Sequence, residues 1–231
     1  MKQAILAVYF GSRDTHSMDL FEQTLSESFP AHKICRAFLC SRFSGAPSVE
    51  QALGALQNYD SIFIQPMLVS RGPTYEKLRT LSKNHPVGVP LLDSPCACVD
   101  ALRQWLPAPL LLMGHGSAET DFSDFIKILS NDLHFAAMEG TPALEEVLPL
   151  FAGRSLHLAP FLLTAGTHGT RDLALWKEKL EAIGCSVTVH PESLAHCPQI
   201  RDLFARHVQR QILQFHSPTE KGKDVSPCIR D

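Results

Sequence analysis

Short runs of apolar residues alternate with amphipathic segments along most of the chain. The apolar runs predict strands at 3–10, 34–39, 61–66, 88–92, 109–113, 135–138, 155–160 and 186–190. Most of these runs are continuously apolar, which is typical of strands covered on both faces of a parallel sheet. The segments between them predict helices at 16–28, 47–57, 73–83, 95–106, 119–133, 142–150, 170–182 and 198–214. This alternation indicates an α/β protein, either an open doubly wound fold or a closed barrel.

An internal repeat favours the open architecture. The segment AVYFGS at 7–12 resembles LMGHGS at 112–117, and the segment at 62–78 resembles the one at 156–173. The second pairing aligns Thr74 with His168. The chain therefore reads as two copies of one strand–helix unit.

Two similar lobes follow from this repeat, at 1–107 and 108–216. Each is predicted to be a four-stranded parallel sheet flanked by helices, with flavodoxin-like or Rossmann-like connections and a cleft between the lobes. The tail at 217–231 is polar and lacks periodicity, so it is predicted to be disordered.

The composition narrows the class of protein. The chain has 231 residues, of which 45% are hydrophobic and 19% charged, as in an ordinary soluble globular protein. The net charge of −3 comes with no basic block, which argues against a nucleic-acid partner. No apolar run approaches the ~20 residues of a membrane span, and the first run reads as a buried strand rather than a leader. Seven cysteines without a C-x-x-C pair favour reduced thiols. We therefore expect a cytoplasmic protein with no membrane partner, either a monomer or a homo-oligomer.

Two histidines follow predicted strands at positions where chemistry is expected. His115 lies between two glycines directly after LLLMG, and His168 follows the run that ends in LLTAGT. Ligands of parallel α/β sheets bind beyond the carboxyl ends of the strands. One histidine at such a position is often only a turn residue, but two at matching positions favour a shared site.

Other polar residues fall at the same predicted edge. Glu139 ends the sixth predicted strand, where it is either a site carboxylate or an exposed loop residue. Arg13, Arg71 and Arg171 all follow strand ends, where they could bind substrate carboxylates through bidentate hydrogen bonds or simply face solvent. Neither glycine-rich stretch matches a dinucleotide-binding or P-loop motif, so no nucleotide is expected.

A set of motifs in order along the chain resembles the anaerobic sirohydrochlorin cobaltochelatases. These are class II tetrapyrrole chelatases, relatives of ferrochelatase. The resemblance runs from residue 3 to about 214, on VYFGSRDT, QPMLVSRGPTYEK, GVPLL, MGHGS, MEGTP and LAPFLLTAGTHGTRDLALWK. It implies two similar lobes with the tetrapyrrole between them.

The resemblance also implies roles for particular residues. The histidine of the GHG motif and that of the AG-x-H motif are the metal-binding and catalytic pair, which places these roles on His115 and His168. Glu139 is expected to assist them as a further metal ligand. A glutamate is usual at the position just before the Tyr-Glu-Lys triplet, but this chain has Thr74 there, and Glu76 lies elsewhere on the helix. The residues expected to contact the tetrapyrrole are Ser12, Arg13, Arg71, Thr74 and Arg171.

The resemblance predicts an enzyme, a lyase that inserts a divalent metal into sirohydrochlorin without ATP. Co²⁺ is the expected metal, with Fe²⁺ or Ni²⁺ as alternatives, and imidazole is a suitable ligand for each. Thr74 leaves open a non-catalytic protein that binds or carries the tetrapyrrole or the metal. An unrelated phosphate or nucleotide enzyme rests on architecture alone and lacks a phosphate loop.

Overall fold

The computed structural model describes residues 1–40, 47–116, 122–164 and 166–216, without the side chains of Thr167, His168 and His216. Within these ranges the strands are β1 (Gln3–Tyr9), β2 (His32–Phe38), β3 (Ser61–Met67), β4 (Leu110–Gly114), β5 (Leu133–Ala137), β6 (Ser155–Pro160) and β7 (Ser186–Val189). The α-helices are α1 (Thr15–Ser28), α2 (Val49–Ala55), α3 (Pro73–Leu81), α4 (Pro95–Trp105), α5 (Ser123–Lys127), α6 (Leu144–Val147), α7 (Gly166–Ala182) and α8 (Pro198–His216). Single turns of 3₁₀-helix occur at Leu91–Asp93, Leu148–Leu150 and Leu194–His196.

The strands form two parallel sheets. The first has the order β2-β1-β3 and the second the order β5-β4-β6-β7. In each sheet the chain leaves a central strand for one neighbour and then crosses to the other side, so the two sheets share one connection pattern. The predicted α/β class, with two similar units of parallel sheet and helices, is confirmed.

The first sheet has three strands, so the predicted strand at 88–92 is wrong. Among the described residues, the strand pairing nearest to it is one isolated parallel bridge between Ile64 and Val87, the residue just before the predicted strand. Pro86 and Pro90 lack the N–H that a strand needs for continued pairing. After Pro90 the chain turns into the 3₁₀-helix at Leu91–Asp93 instead.

Two predicted helices differ in extent. The helix predicted at 170–182 begins at Gly166, which places His168 in its first turn. The helix predicted at 119–133 is confined to Ser123–Lys127 in the described residues, and β5 already begins at Leu133. The tail at 217–231, predicted to be disordered, lies outside the described residues.

Alternate residues of the strands fill different cores. Ile5, Ala7 and Tyr9 of β1 share a continuous core with Leu110 and Leu112 of β4. The residues between them on β1 pack into a separate core with α2 and α3. This period of two is the geometry of a strand buried on both faces, and it joins the two sheets through one shared core.

Helix α8 returns the chain to the first sheet. It packs against α1, α4 and β3, and Ile200, Phe204 and Val208 are fully buried in the core shared by the two sheets. The edge-to-face contact of Phe204 with Phe21 of α1, at 5.3 Å between ring centroids, is part of this packing. The lobe boundary between 107 and 108 stays a prediction.

No helix among the described residues is long and apolar enough to cross a membrane. Cys35, Cys40, Cys98, Cys185 and Cys197 are free thiols, as expected. Cys96 is disulfide-bonded, so the expectation of reduced thiols is wrong at this residue.

Candidate active site

The connection pattern of the two sheets defines where a ligand is expected. In the first sheet the connections go from β1 to its neighbour on one side and then cross to β3 on the other side. In the second sheet they go from β4 to β5 and then cross to β6 in the same way. Such switch points create a crevice beyond the carboxyl ends of the strands. His115 follows β4 and His168 follows β6, so both backbones lie at the switch point of the second sheet.

His115 is exposed, and its tautomer is fixed by its neighbour. The Nδ1 atom lies 2.8 Å from the carbonyl oxygen of Gly116. Because a carbonyl oxygen only accepts hydrogen bonds, Nδ1 must carry the proton and donate it. The basic lone pair of the ring is then at Nε2, which is the form that coordinates a metal or accepts a proton.

The predicted Glu139 lies next to His115. Its backbone N–H donates to the carbonyl oxygen of His115 at 2.9 Å, and the N–H of Met138 donates to Gly114 at 2.9 Å. Gly116 lies against the same segment with φ +68°, and a Cβ atom there would be 2.0 Å from the carbonyl oxygen of Glu139. The close approach of the two loops therefore depends on glycine at 116.

His168 occupies the first turn of α7, eight residues after the end of β6. Its side chain lies outside the described part of the structure. No group of three or more histidines, cysteines or carboxylates able to hold a metal is found among the described residues, a set that omits this imidazole. The pairing of His115 with His168 therefore stays a prediction.

Arg71 follows β3 as predicted, but its guanidinium is engaged by Asp93. Nε donates to one carboxylate oxygen of Asp93 at 2.9 Å, and a second nitrogen donates to the other oxygen. The guanidinium also lies over the Tyr75 ring, 5.2 Å from its centroid. The hydrogen bonds to Asp93 raise the pKa of Arg71, so the guanidinium stays charged and is fixed at the end of the strand.

Arg13 and Arg171 are exposed, and neither forms an ion pair with the residues that the structure describes. Arg13 follows β1, and Arg171 lies in the second turn of α7. Ser12 shapes the turn before α1, because its Oγ accepts a hydrogen bond from the N–H of Asp14 at 3.1 Å. The two arginines are thus cations available to a ligand, while Ser12 also has a structural role.

Thr74 and Glu76 lie in the first turn of α3, which starts after Gly72. Thr74 is half-buried, while Glu76 is exposed and pairs with Arg79 on the same helix at 3.1 Å. Glu76 is therefore directed along the helix surface, as predicted, and does not substitute for a carboxylate at position 74.

A polar contact that sequence reasoning missed joins the carboxyl edges of the two sheets. Ser17 Oγ in α1 lies 2.8 Å from Ser193 Oγ in the segment after β7, and both residues are buried. Asp14 accepts hydrogen bonds from the N–H of Ser17 at 3.1 Å and from its hydroxyl at 2.6 Å. The position of Asp14 before an amphipathic run is the sequence signal of a helix cap, but nothing local indicates Ser193 as a partner. This contact brings the two carboxyl edges to the same side of the molecule.

The comparisons with known proteins point to one family. A family model described as cobalt chelatase (CbiK) matches residues 3–213. A sirohydrochlorin cobaltochelatase of Salmonella typhimurium is 28% identical, over 92% of this chain and 97% of that protein.

Two solved structures show a similar fold. SirB from Bacillus subtilis with Fe³⁺ superposes with a TM-score of 0.67 at 18% identity, covering 94% of this chain and 98% of that one. The sirohydrochlorin chelatase SirB from Bacillus subtilis subspecies spizizenii, in complex with cobalt, gives a TM-score of 0.63 at 19% identity, covering 93% and 97%. The family model extends over nearly all of the described fold and both histidine motifs, and the protein therefore belongs to the cobalt chelatase (CbiK) family.

Proposed function

We propose that this protein is a chelatase that inserts a divalent metal ion, Co²⁺ in the first place, into sirohydrochlorin without a nucleotide. Membership of the cobalt chelatase family supports the reaction class. The observation that carries the proposal to this site is the position of His115 directly beyond the carboxyl end of β4, with its Nδ1 hydrogen-bonded to the carbonyl oxygen of Gly116.

The reaction needs a weak ligand and a base. The tetrapyrrole loses two pyrrole N–H protons and gains one M²⁺ ion, so its charge does not change, and two protons leave for the protein and then for solvent. The ion must also lose part of its water shell on the way. Neutral imidazole meets both needs, because it is a good ligand for borderline divalent ions and its ordinary pKa is near ~6.5.

In this proposal, His115 and His168 share these two tasks. Nε2 of His115 coordinates the incoming ion, and one of the two imidazoles accepts the pyrrole protons. Two histidines leave coordination positions open, so the ion can be released into the macrocycle, unlike in a closed four-ligand structural site. Glu139, whose backbone adjoins His115, is proposed as a further ligand.

The carboxylates of the tetrapyrrole require cations at the edge of the cleft. Arg13 and Arg171 are proposed to bind them, because both are exposed and make no ion pair with a described residue. Arg71 is proposed to contribute a positive charge at a fixed position, since the ion pair with Asp93 holds its guanidinium in place. Ser12 and Thr74 complete the proposed contact surface. The lobes 1–107 and 108–216 would border the cleft, and we propose a cytoplasmic location.

A second candidate function is a protein that binds the tetrapyrrole without turning it over. Thr74 favours this candidate, because a threonine at the first turn of α3 supplies neither the charge nor the basicity of the glutamate expected there. The two candidates differ in turnover and not in binding.

An anaerobic absorbance time course distinguishes them. Purified protein is mixed with sirohydrochlorin and excess Co²⁺, Fe²⁺ or Ni²⁺, and compared with a mixture lacking protein. The proposal predicts multiple turnovers, with one metal favoured. A stoichiometric spectral shift without acceleration would instead support the binding protein.

Variants of the histidines test the site itself. His115→Asn and His168→Asn should each lower the insertion rate at least tenfold, while His85→Asn on the loop after α3 serves as a matched control and should retain it. Full rates in both site variants would contradict the proposal. Thr74→Glu should raise the rate or change the preferred metal, because it adds a carboxylate at the cleft.

A further inference from the structure

A second pair of histidines lies in the second sheet, away from the proposed chelatase site. Nδ1 of His157 is 2.9 Å from Nε2 of His190, and the ring centroids are 5.1 Å apart. His157 belongs to β6, three residues before that strand ends, and His190 directly follows β7. We propose that this pair binds a divalent transition-metal ion of the borderline class, such as Co²⁺ or Zn²⁺, independently of the function proposed above.

The backbone places the two histidines next to each other. The N–H of His190 donates to the carbonyl oxygen of Leu158 at 2.8 Å, which extends the β6–β7 ladder by one residue. His190 therefore lies diagonally across from His157 on one face of the sheet. Leu156 and Leu158 point to the opposite face and are buried there. A twist of β6 that separated the two histidines would therefore expose these leucines.

The distance between the two nitrogens is close to that in a metal chelate. With metal–nitrogen bonds of ~2.0–2.1 Å, two cis imidazoles have nitrogens about 2.9 Å apart at a right angle and about 3.3 Å apart at the tetrahedral angle. The observed 2.9 Å is within a few tenths of an ångström of either value, and both rings have to rotate about their side-chain bonds so that the two lone pairs converge on the ion. The donor ring also has to change tautomer, which moves its proton to its other nitrogen without releasing it.

The surroundings of the pair favour a borderline ion that keeps water ligands. Both histidines are half-buried, and β7 is an edge strand whose Ser186 and Thr188 are exposed. Solvent can therefore occupy the remaining coordination positions. Two imidazoles without a carboxylate are a poor site for Mg²⁺ or Ca²⁺, which prefer oxygen ligands.

Equilibrium dialysis of the full chain against Co²⁺ tests the stoichiometry. Wild-type protein should bind one ion more per chain than the His157→Asn/His190→Asn variant. Each single substitution should weaken that binding at least tenfold, because one ligand of the chelate is lost. His85→Asn removes a histidine from another loop as a matched control, and it should bind as many ions as the wild type.

Paramagnetic line broadening tests the same proposal without a variant. Co²⁺ should broaden the amide signals of Leu158 and Thr188, while Ala7 in the first sheet stays sharp. An unchanged stoichiometry in the double variant, or sharp signals for Leu158 and Thr188, would overturn the proposal and leave the pair as a hydrogen bond. The rate of metal insertion should be the same in the double variant and the wild type, so a failure of the chelatase proposal would not alter this result.

Discussion

Replacing Gly116 by alanine tests the link between the fold and the proposed site. Gly116 has φ +68° and packs against the segment that contains Glu139. An added Cβ would be 2.0 Å from the carbonyl oxygen of Glu139 and 2.7 Å from Cβ of Ala137. Backbone is the nearest obstacle, so the two loops must move apart by more than 1 Å to reach ordinary contact, by comparison with carbon–oxygen separations of about 3.3 Å.

Gly153 provides a matched control, because it has φ +69° and no atom within 4 Å of the position of an added Cβ. Both alanine variants incur the strain of a left-handed backbone, about 1–2 kcal/mol. Gly116→Ala adds the cost of overpacking, about 1–3 kcal/mol. We therefore expect the free energy of unfolding to fall further in Gly116→Ala than in Gly153→Ala, by about 1–3 kcal/mol in urea denaturation.

Activity should separate the two variants more clearly than stability. A displacement of about 1 Å at a reacting group can reduce a rate by up to ~10²-fold. Gly116→Ala moves the carbonyl that orients His115, so the rate of Co²⁺ insertion into sirohydrochlorin should fall at least tenfold, whereas Gly153→Ala should change it less than twofold. Equal losses of stability and rate in the two variants would refute the reasoning.

Two further predictions concern charge. Burial, assisted by nearby Arg210, lowers the pKa of His207 to about 4. Below pH ~6.5 the unfolded chain therefore binds a proton on His207 that the folded chain does not bind until about pH 4. The free energy of unfolding should fall by up to about 3 kcal/mol between pH 6.5 and pH 4 as a result. Urea titrations of His207→Gln at several pH values should show a decrease in the free energy of unfolding that is smaller than in the wild type by that amount. Parallel plots of this free energy against pH for variant and wild type would contradict the prediction. Arg13→Ala and Arg171→Ala should each raise KM for the tetrapyrrole more than Arg71→Ala does, because the charge of Arg71 is already paired with Asp93. Steady-state kinetics measure these KM values, and a larger increase in Arg71→Ala than in the other two variants would reject this assignment.

The sequence predicted most elements where local pattern determines them. The bounds of β6, Ser155–Pro160, are those predicted, because its apolar run is flanked by Arg154 and ends at Pro160. The segment at 88–92 failed because apolar character alone does not report the hydrogen bonds that Pro86 and Pro90 cannot make. The pattern of apolar residues therefore identified the buried segments, but it did not show which of them pair with a neighbouring strand.

The candidate site was predictable to the extent that strand ends can be located. The position of His115 follows from the strand before it, and His168 lies near the end of β6 for the same reason. The engagement of Arg71 by Asp93, across 22 residues, and the contact of Ser17 with Ser193, across 176, were not predictable. These contacts depend on how whole elements pack, and no local pattern in a single sequence encodes that packing.

The return of α8 to the first sheet has a consequence for biosynthesis. The ribosome makes β1 and α1 long before residues 198–216, which complete the core beside them. Until α8 is made, Phe21 and the apolar residues of β1 lack some of the side chains that bury them in the folded protein. The amino-terminal half should therefore remain protease-sensitive on the ribosome until α8 has been made, and chaperones that bind exposed apolar chain can act during that interval.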